Sequence, residues 1–219
     1  EPAIRKKCDE LKIDHRGKEF QEIMRRLTAN LQRAFETKNE VYVLTSSGTG
    51  AMEAAIINVL SPGDRVLAVS IGNFGDRFSK IAKVYGAHVT DLKFPEGKAA
   101  DPAAIRERLQ ADPAIQAVLV THNETSTGIT NDLEAIARVV KGEFDKLFLV
   151  DAISSLGSIR MAMDAWNIDV VASASQKGWA CPPGLAMIAM SERAWKASDA
   201  ARMPRFYFDL REARNSLKK

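Results

Sequence analysis

Three short segments hold side chains whose types and spacing could do chemistry. Thr45-Ser-Ser-Gly-Thr-Gly50 lies between an apolar run and a helical one. There Gly48 and Gly50 let a ligand approach the backbone closely, and the N–H groups of a helix start attract an anion. Ser47 and Thr49 add hydroxyl donors, so the segment reads as a phosphate-binding turn or as plain turn chemistry. It matches neither the Walker pattern nor the full dinucleotide fingerprint. Asp151 ends the apolar run Leu147-Phe-Leu-Val150. A carboxylate in such a place is costly unless it meets a cation or donors, although capping the next turn is an ordinary use for it. Lys177 lies in Ser175-Gln-Lys-Gly178, after the apolar Val170-Val-Ala172, and is framed by Gly178 and the Cys181-Pro-Pro-Gly184 turn. A lone loop lysine is usually just solvated, but one at the mouth of a parallel sheet, held between glycine and proline turns, is a stronger functional candidate.

The elements that must position these groups follow a regular rhythm. Phe20, Ile23, Met24, Leu27, Leu31 and Phe35 recur at helical spacing, which predicts an amphipathic helix over 18–37. Short β-branched runs follow at 41–45, 65–70, 88–90, 117–121 and 147–151, alternating with helical segments at 50–60, 74–85, 102–110 and 131–141. Apolar strands alternating with helices indicate an α/β domain with a mostly parallel sheet covered on both faces. In such sheets ligands bind at the C-terminal ends of the strands, and all three segments fall there.

The totals agree with a soluble α/β domain. The chain has 219 residues, 46% hydrophobic and 27% charged, enough to bury a core without disulfides. Cys8 and Cys181 stand far apart, which fits a reducing, cytoplasmic setting better than a disulfide framework. No stretch approaches the ~20 apolar residues of a membrane helix. A net charge of +3, with basic and acidic residues interspersed, argues against a nucleic-acid partner. His15, His88 and His122 are widely separated, so no metal site is expected. His122 reads as a core histidine, and Cys181 as structural.

Taken together, Ser47-Gly-Thr-Gly50 followed by Met52-Glu-Ala-Ala55, His122-Asn-Glu-Thr-Ser-Thr-Gly128, Val150-Asp-Ala-Ile-Ser-Ser-Leu-Gly157 and Ser173-Ala-Ser-Gln-Lys-Gly178 resemble the class V aminotransferases in order and spacing. Within that family the resemblance is to the alanine–glyoxylate, serine–pyruvate and serine–glyoxylate branch. Asp14-His-Arg-Gly-Lys-Glu-Phe20 and Pro204-Arg-Phe-Tyr-Phe-Asp209 look similar as well.

The resemblance implies the large domain of a fold type I pyridoxal 5′-phosphate enzyme over residues 1–219, with a mostly parallel seven-stranded sheet and helices on both faces. It places the Schiff-base lysine at Lys177 and the partner of the pyridinium nitrogen at Asp151. Phosphate contacts carry over to Ser47, Gly48, Thr49 and Gln176, ring contacts to Phe74 and Ile153, and a hydroxyl beside the cofactor's phenolic oxygen to Thr125. The implied reaction moves an amino group from L-alanine or L-serine to glyoxylate or pyruvate. The implied partners are small amino acids, 2-oxo acids and a second copy of the chain. Whole enzymes of this branch also have an N-terminal arm and a small C-terminal domain bearing a carboxylate-clamping arginine. Neither is recognised in this sequence. Phosphoserine transamination, cysteine desulfuration, and a catalytically weak cofactor-binding or dimerising fragment are the alternatives that the same residues leave open.

Overall fold

The computed structural model describes residues 2–10 and 13–217, without the side chains of 8–10 and 217, so the side chain of Cys8 lies outside it. Helix α1 (Pro2–Glu10) leads into α2 (Lys18–Phe35), which packs Leu31 and Phe35 inward. Glu36 then ends α2 in the left-handed region, and the Glu36 and Thr37 N–H groups return to the carbonyls of Arg33 and Gln32.

The sheet contains β1 (Val41–Thr45), β2 (Arg65–Ser70), β3 (His88–Lys93), β4 (Ala117–Thr121), β7 (Leu147–Asp151), β8 (Val170–Ala174) and β9 (Leu185–Met190). Its seven strands take the order β1-β9-β8-β7-β4-β2-β3. β9 is antiparallel to both neighbours, and the remaining pairs are parallel. A small hairpin, β5 (Asn123–Glu124) with β6 (Ile129–Thr130), extends beyond the end of β4.

Alternation along the buried strands feeds two cores. Leu67, Val69, Val118, Val120, Phe148 and Val150 face α2, α5 (Pro102–Ala111) and α6 (Leu133–Ala137). Val66, Ala68, Ala117, Leu119 and Leu149 face α3 (Gly48–Ile57), α4 (Asn73–Val84), α7 (Glu192–Ala200) and α8 (Leu210–Leu217). The fold is thus α/β, with a mostly parallel sheet covered on both faces.

The structure refines several boundaries. The helix predicted over 131–141 is α6 followed by a π-helical stretch, Arg138–Glu143, from which Lys141 reaches the buried Asp169 at 2.7 Å. β3 runs to Lys93, beyond the predicted 88–90. It is an edge strand whose Asp91 and Lys93 pair outward with Lys83 and Asp76, so its polar residues hide the strand pattern. β9 lies outside the predicted strands, and it can lie antiparallel because a short connection suffices to join it to β8.

The segment after α7 folds back over the end of α3. Buried Asn58 donates Nδ2–H to the carbonyls of Ala54 (2.8 Å) and Phe208 (2.7 Å) and accepts the Leu210 N–H at 3.0 Å. Asn58→Ala leaves those buried groups without partners and should cost about 2 kcal/mol. The expected result is a lower urea midpoint with an unchanged m value, together with faster proteolysis after residue 203.

Candidate active site

The strand ends that share one edge of the sheet build the site. Ser47 caps α3, its hydroxyl accepting the Gly50 N–H. The first bond of the helix proper runs from Ala51 N–H to Ser47 C=O at 3.1 Å, so the Gly48 and Thr49 N–H groups belong to the unsatisfied first turn. Gly48 is required here by close approach: a Cβ would stand 2.7 Å from Ile153 Cδ1. That contact brings the start of α3 against the turn that follows Asp151.

Asp151 is buried at the end of β7, between Thr121 of β4 and Ala172 of β8. One carboxyl oxygen accepts the Ile153 N–H at 2.9 Å and the other the Thr121 hydroxyl at 3.2 Å. Burial dominates and pushes the carboxyl up to about 6, offset in part by these two donors. The backbone N–H of His122 donates to the Asp151 carbonyl at 2.8 Å. Burial holds the His122 imidazole down at about 4, so it is neutral, as a core histidine would be.

Lys177 occupies the connection between β8 and β9, and this loop is closed at its base. Ser175 exchanges bonds with Leu185 and accepts the Cys181 N–H, and its hydroxyl reaches the Pro182 carbonyl at 2.7 Å. The Ala180 N–H returns to the Lys177 carbonyl at 3.0 Å, and the Trp179 ring stacks on Phe35 with centroids 6.3 Å apart. The loop locks onto the one that follows Asp151. A Cβ on Gly178 would lie 2.6 Å from the Leu156 carbonyl oxygen, and one on Gly157 would lie 2.9 Å from the Gly178 carbonyl carbon. Lys177 and Gln176 are left exposed on the rim.

Phe74, half-buried in the first turn of α4, forms a third side. Buried Glu124 fixes it by accepting the Phe74 and Gly75 N–H groups at 2.9 and 3.2 Å through one oxygen and the Ser126 N–H and hydroxyl through the other. A carboxylate at a helix N-terminus is favoured by the helix dipole.

The structure therefore joins Gly48 to Ile153, Ile153 to Asp151, and the Asp151 turn to the Lys177 loop, with Ser47 and Thr49 at the same edge. Thr125 is exposed on the β5–β6 turn, and no hydrogen bond among the described residues links it to the others. Residue reasoning missed Glu124, Thr121 and Arg77, although each lies within or beside a quoted segment. Arg77 donates to Thr49 Oγ1 at 3.1 Å and lies over the Phe74 ring, 4.8 Å from its centroid. Its spacing of three from Phe74, on one helix face, was the available signal.

Comparisons with known proteins identify the family. The family model described as aminotransferase class-V matches residues 9–202. The chain is 46% identical to the soluble hydrogenase small subunit of Synechococcus sp. (strain PCC 6716), covering 94% of this chain and 54% of that protein. It is 38% identical to the L-aspartate–glyoxylate aminotransferase of Paracoccus denitrificans, covering 95% and 54% respectively. The crystal structure of an alanine–glyoxylate aminotransferase from Nostoc sp. superposes with a TM-score of 0.92 at 32% identity, over 97% of this chain and 57% of that one. The chain thus spans about half the length of the relatives it matches. A family match over most of its residues, on a shared fold, makes this chain a member of the class V aminotransferases.

Proposed function

We propose that this chain binds pyridoxal 5′-phosphate at the C-terminal edge of its sheet and serves amino-group transfer from a small amino acid, L-alanine or L-serine, to glyoxylate or pyruvate. One observation carries the reading: Asp151 is a buried carboxyl with neutral donors around it, in a turn interlocked with the loop of Lys177. The donor set fits the cofactor. A protonated ring nitrogen would give Asp151 the cation that its burial calls for. The first turn of α3, with Ser47, Gly48 and Thr49, together with Gln176 beside Lys177, would hold the phosphate. Phe74 and Ile153 would bracket the ring, and Thr125 would serve its phenolic oxygen. Relatives named for glyoxylate as acceptor support that choice of 2-oxo acid.

When bound, the cofactor supplies an electron-withdrawing ring that stabilises the charge left by removal of the substrate's Cα proton. The protein's part would be to hold and move protons. Asp151 would keep the ring nitrogen protonated, Lys177 Nζ would hold the cofactor and, once displaced by the substrate's amine, take the Cα proton, and the apolar faces of Phe74 and Ile153 would keep water from the ring. The partners in this reading are small amino acids, 2-oxo acids and a second copy of the chain. The exposed Phe206 and Tyr207, the latter bonded to the Thr45 carbonyl at the sheet edge, offer apolar surface for that copy to cover. Light scattering on a concentrated solution should give the dimer mass, and a monomer would remove this partner.

Titrating the 219-residue chain with pyridoxal 5′-phosphate should produce a visible absorption band. Borohydride should fix the label on the peptide containing Lys177, and Lys177→Ala should abolish both. A labelled Lys177 peptide with no amino-group transfer from alanine or serine would leave the cofactor site standing and remove amino-group transfer as an activity of this chain.

Asp151 gives a pH-dependent test. Its folded value, about 6, lies above its ordinary value of 3.8, so the folded chain holds this proton more tightly than the unfolded one. The stability linked to protonation is fully present below about pH 4 and is lost as pH rises through about 6, a difference of about 3 kcal/mol. Asp151→Asn carries no charge at any pH. In urea unfolding of the cofactor-free chain, the variant should exceed the parent in stability by up to about 3 kcal/mol near pH 7 and approach it near pH 4. The same variant should bind pyridoxal 5′-phosphate at least about tenfold more weakly, since the pyridinium loses its counter-charge.

A further inference from the structure

The phosphate cradle assembled above is neutral in its side chains: Ser47, Gly48 and Thr49 offer N–H and hydroxyl donors, and Gln176 an amide. A phosphate monoester carries a charge near −2 at neutral pH, roughly −1.5 to −2. The helix N-terminus answers with only about half a positive charge. Geometry places a cation at that position. Arg77 extends from α4 back to the first turn of α3, where Nη1 donates to Thr49 Oγ1 at 3.1 Å. Its guanidinium rests over the Phe74 ring, 4.8 Å from the centroid, which restrains its orientation. Phe74 is itself fixed through its N–H on Glu124. Arg65, Arg106 and Arg160 each meet a carboxylate, whereas Arg77 has no ion pair among the described residues. A guanidinium has five N–H donors, and one suffices for Thr49.

We propose that Arg77 is a further phosphate-binding residue of the site, held on the face of Phe74 and directed by Thr49 toward the anion on the first turn of α3. This rests on the cofactor reading above and deepens it. Arg77 supplies the charge, Thr49 sets its direction, and Phe74 links the ring end of the site to the phosphate end. A lysine at position 77 would keep the charge but lose the planar contact with Phe74 and the forked donors.

The experiment compares two ligands that differ only in the phosphate: pyridoxal 5′-phosphate and pyridoxal. Each is titrated into the 219-residue parent, R77Q and R77K, and followed by the visible band and by borohydride labelling of Lys177. Arg77 is exposed, so all three proteins should unfold at similar urea concentrations. R77Q should weaken pyridoxal 5′-phosphate by about 10- to 100-fold while changing pyridoxal less than about threefold, with R77K in between. Equal losses for the two ligands would assign Arg77 to packing on Phe74 and overturn the proposal, as would an unchanged affinity in R77Q. If the parent gives no band with either ligand, the cofactor reading fails and takes this one with it. A band in the parent with an unaffected R77Q removes the arginine alone.

Discussion

The site depends on keeping a carboxyl dry at the end of a central strand. Asp151 is flanked by β4 and β8, and its oxygens meet one hydroxyl and one backbone N–H. Such a group is unfavourable as an anion in isolation, which is why its carboxyl sits near 6. The sheet bears this because its central strands are buried on both faces and contribute far more than one desolvated carboxyl takes away. A cationic ring nitrogen in that place reverses the sign of the interaction. In the proposed site, stability of the free chain and affinity for the cofactor would therefore pull in opposite directions at this residue.

The loop that carries Lys177 is held against the turn that follows Asp151, and two glycines set how closely the two loops approach. Gly157 and Gly178 face each other across the two loops, and a methyl group on either would strike the backbone of the other loop or its neighbours. The antiparallel placing of β9 matters for the same reason. The Lys177 loop has to return only to the adjacent strand, so Ser175 can close it at the base while the Trp179–Phe35 stack ties it to α2. Orientation of this kind is a large part of what a catalytic site supplies, because a misplaced amine loses the benefit of proximity.

Much of this could be read from the sequence, for identifiable reasons. Buried parallel strands read as continuous apolar runs, so β2, β4 and β7 stood out and their ends directed attention to Asp151. Edge strand β3 did not show its full length, because its outward residues are charged. The π-helical stretch at Arg138–Glu143 has no periodicity of its own over six residues, and a helix continuing through it was the natural expectation. Lys177 could be singled out from its glycine and proline frame, but the contact that brings it to the Asp151 turn is between backbones, which side-chain types do not reveal. Glu124 and Arg77 were hidden for a related reason. Their roles come from α4 packing beside α3 and the β5–β6 hairpin, and these neighbours are far apart in the chain.

The division between scaffold and site also bears on what sets the substrate. Relatives named for aspartate, serine or alanine as amino donor share this chain's family, and those with solved structures share its fold. A fold common to several donors cannot be what selects among them. In the proposed site, the first turn of α3, the buried Asp151 carboxyl, Lys177 and Phe74 all answer to features of a cofactor and none to a feature peculiar to one amino acid. Donor choice must then come from groups that face the substrate's side chain from above the sheet edge. Gln176, Lys177, Thr125 and Thr49 are all exposed. On the proposed reading, these residues serve the cofactor's chemistry, and the choice of amino donor rests with other groups.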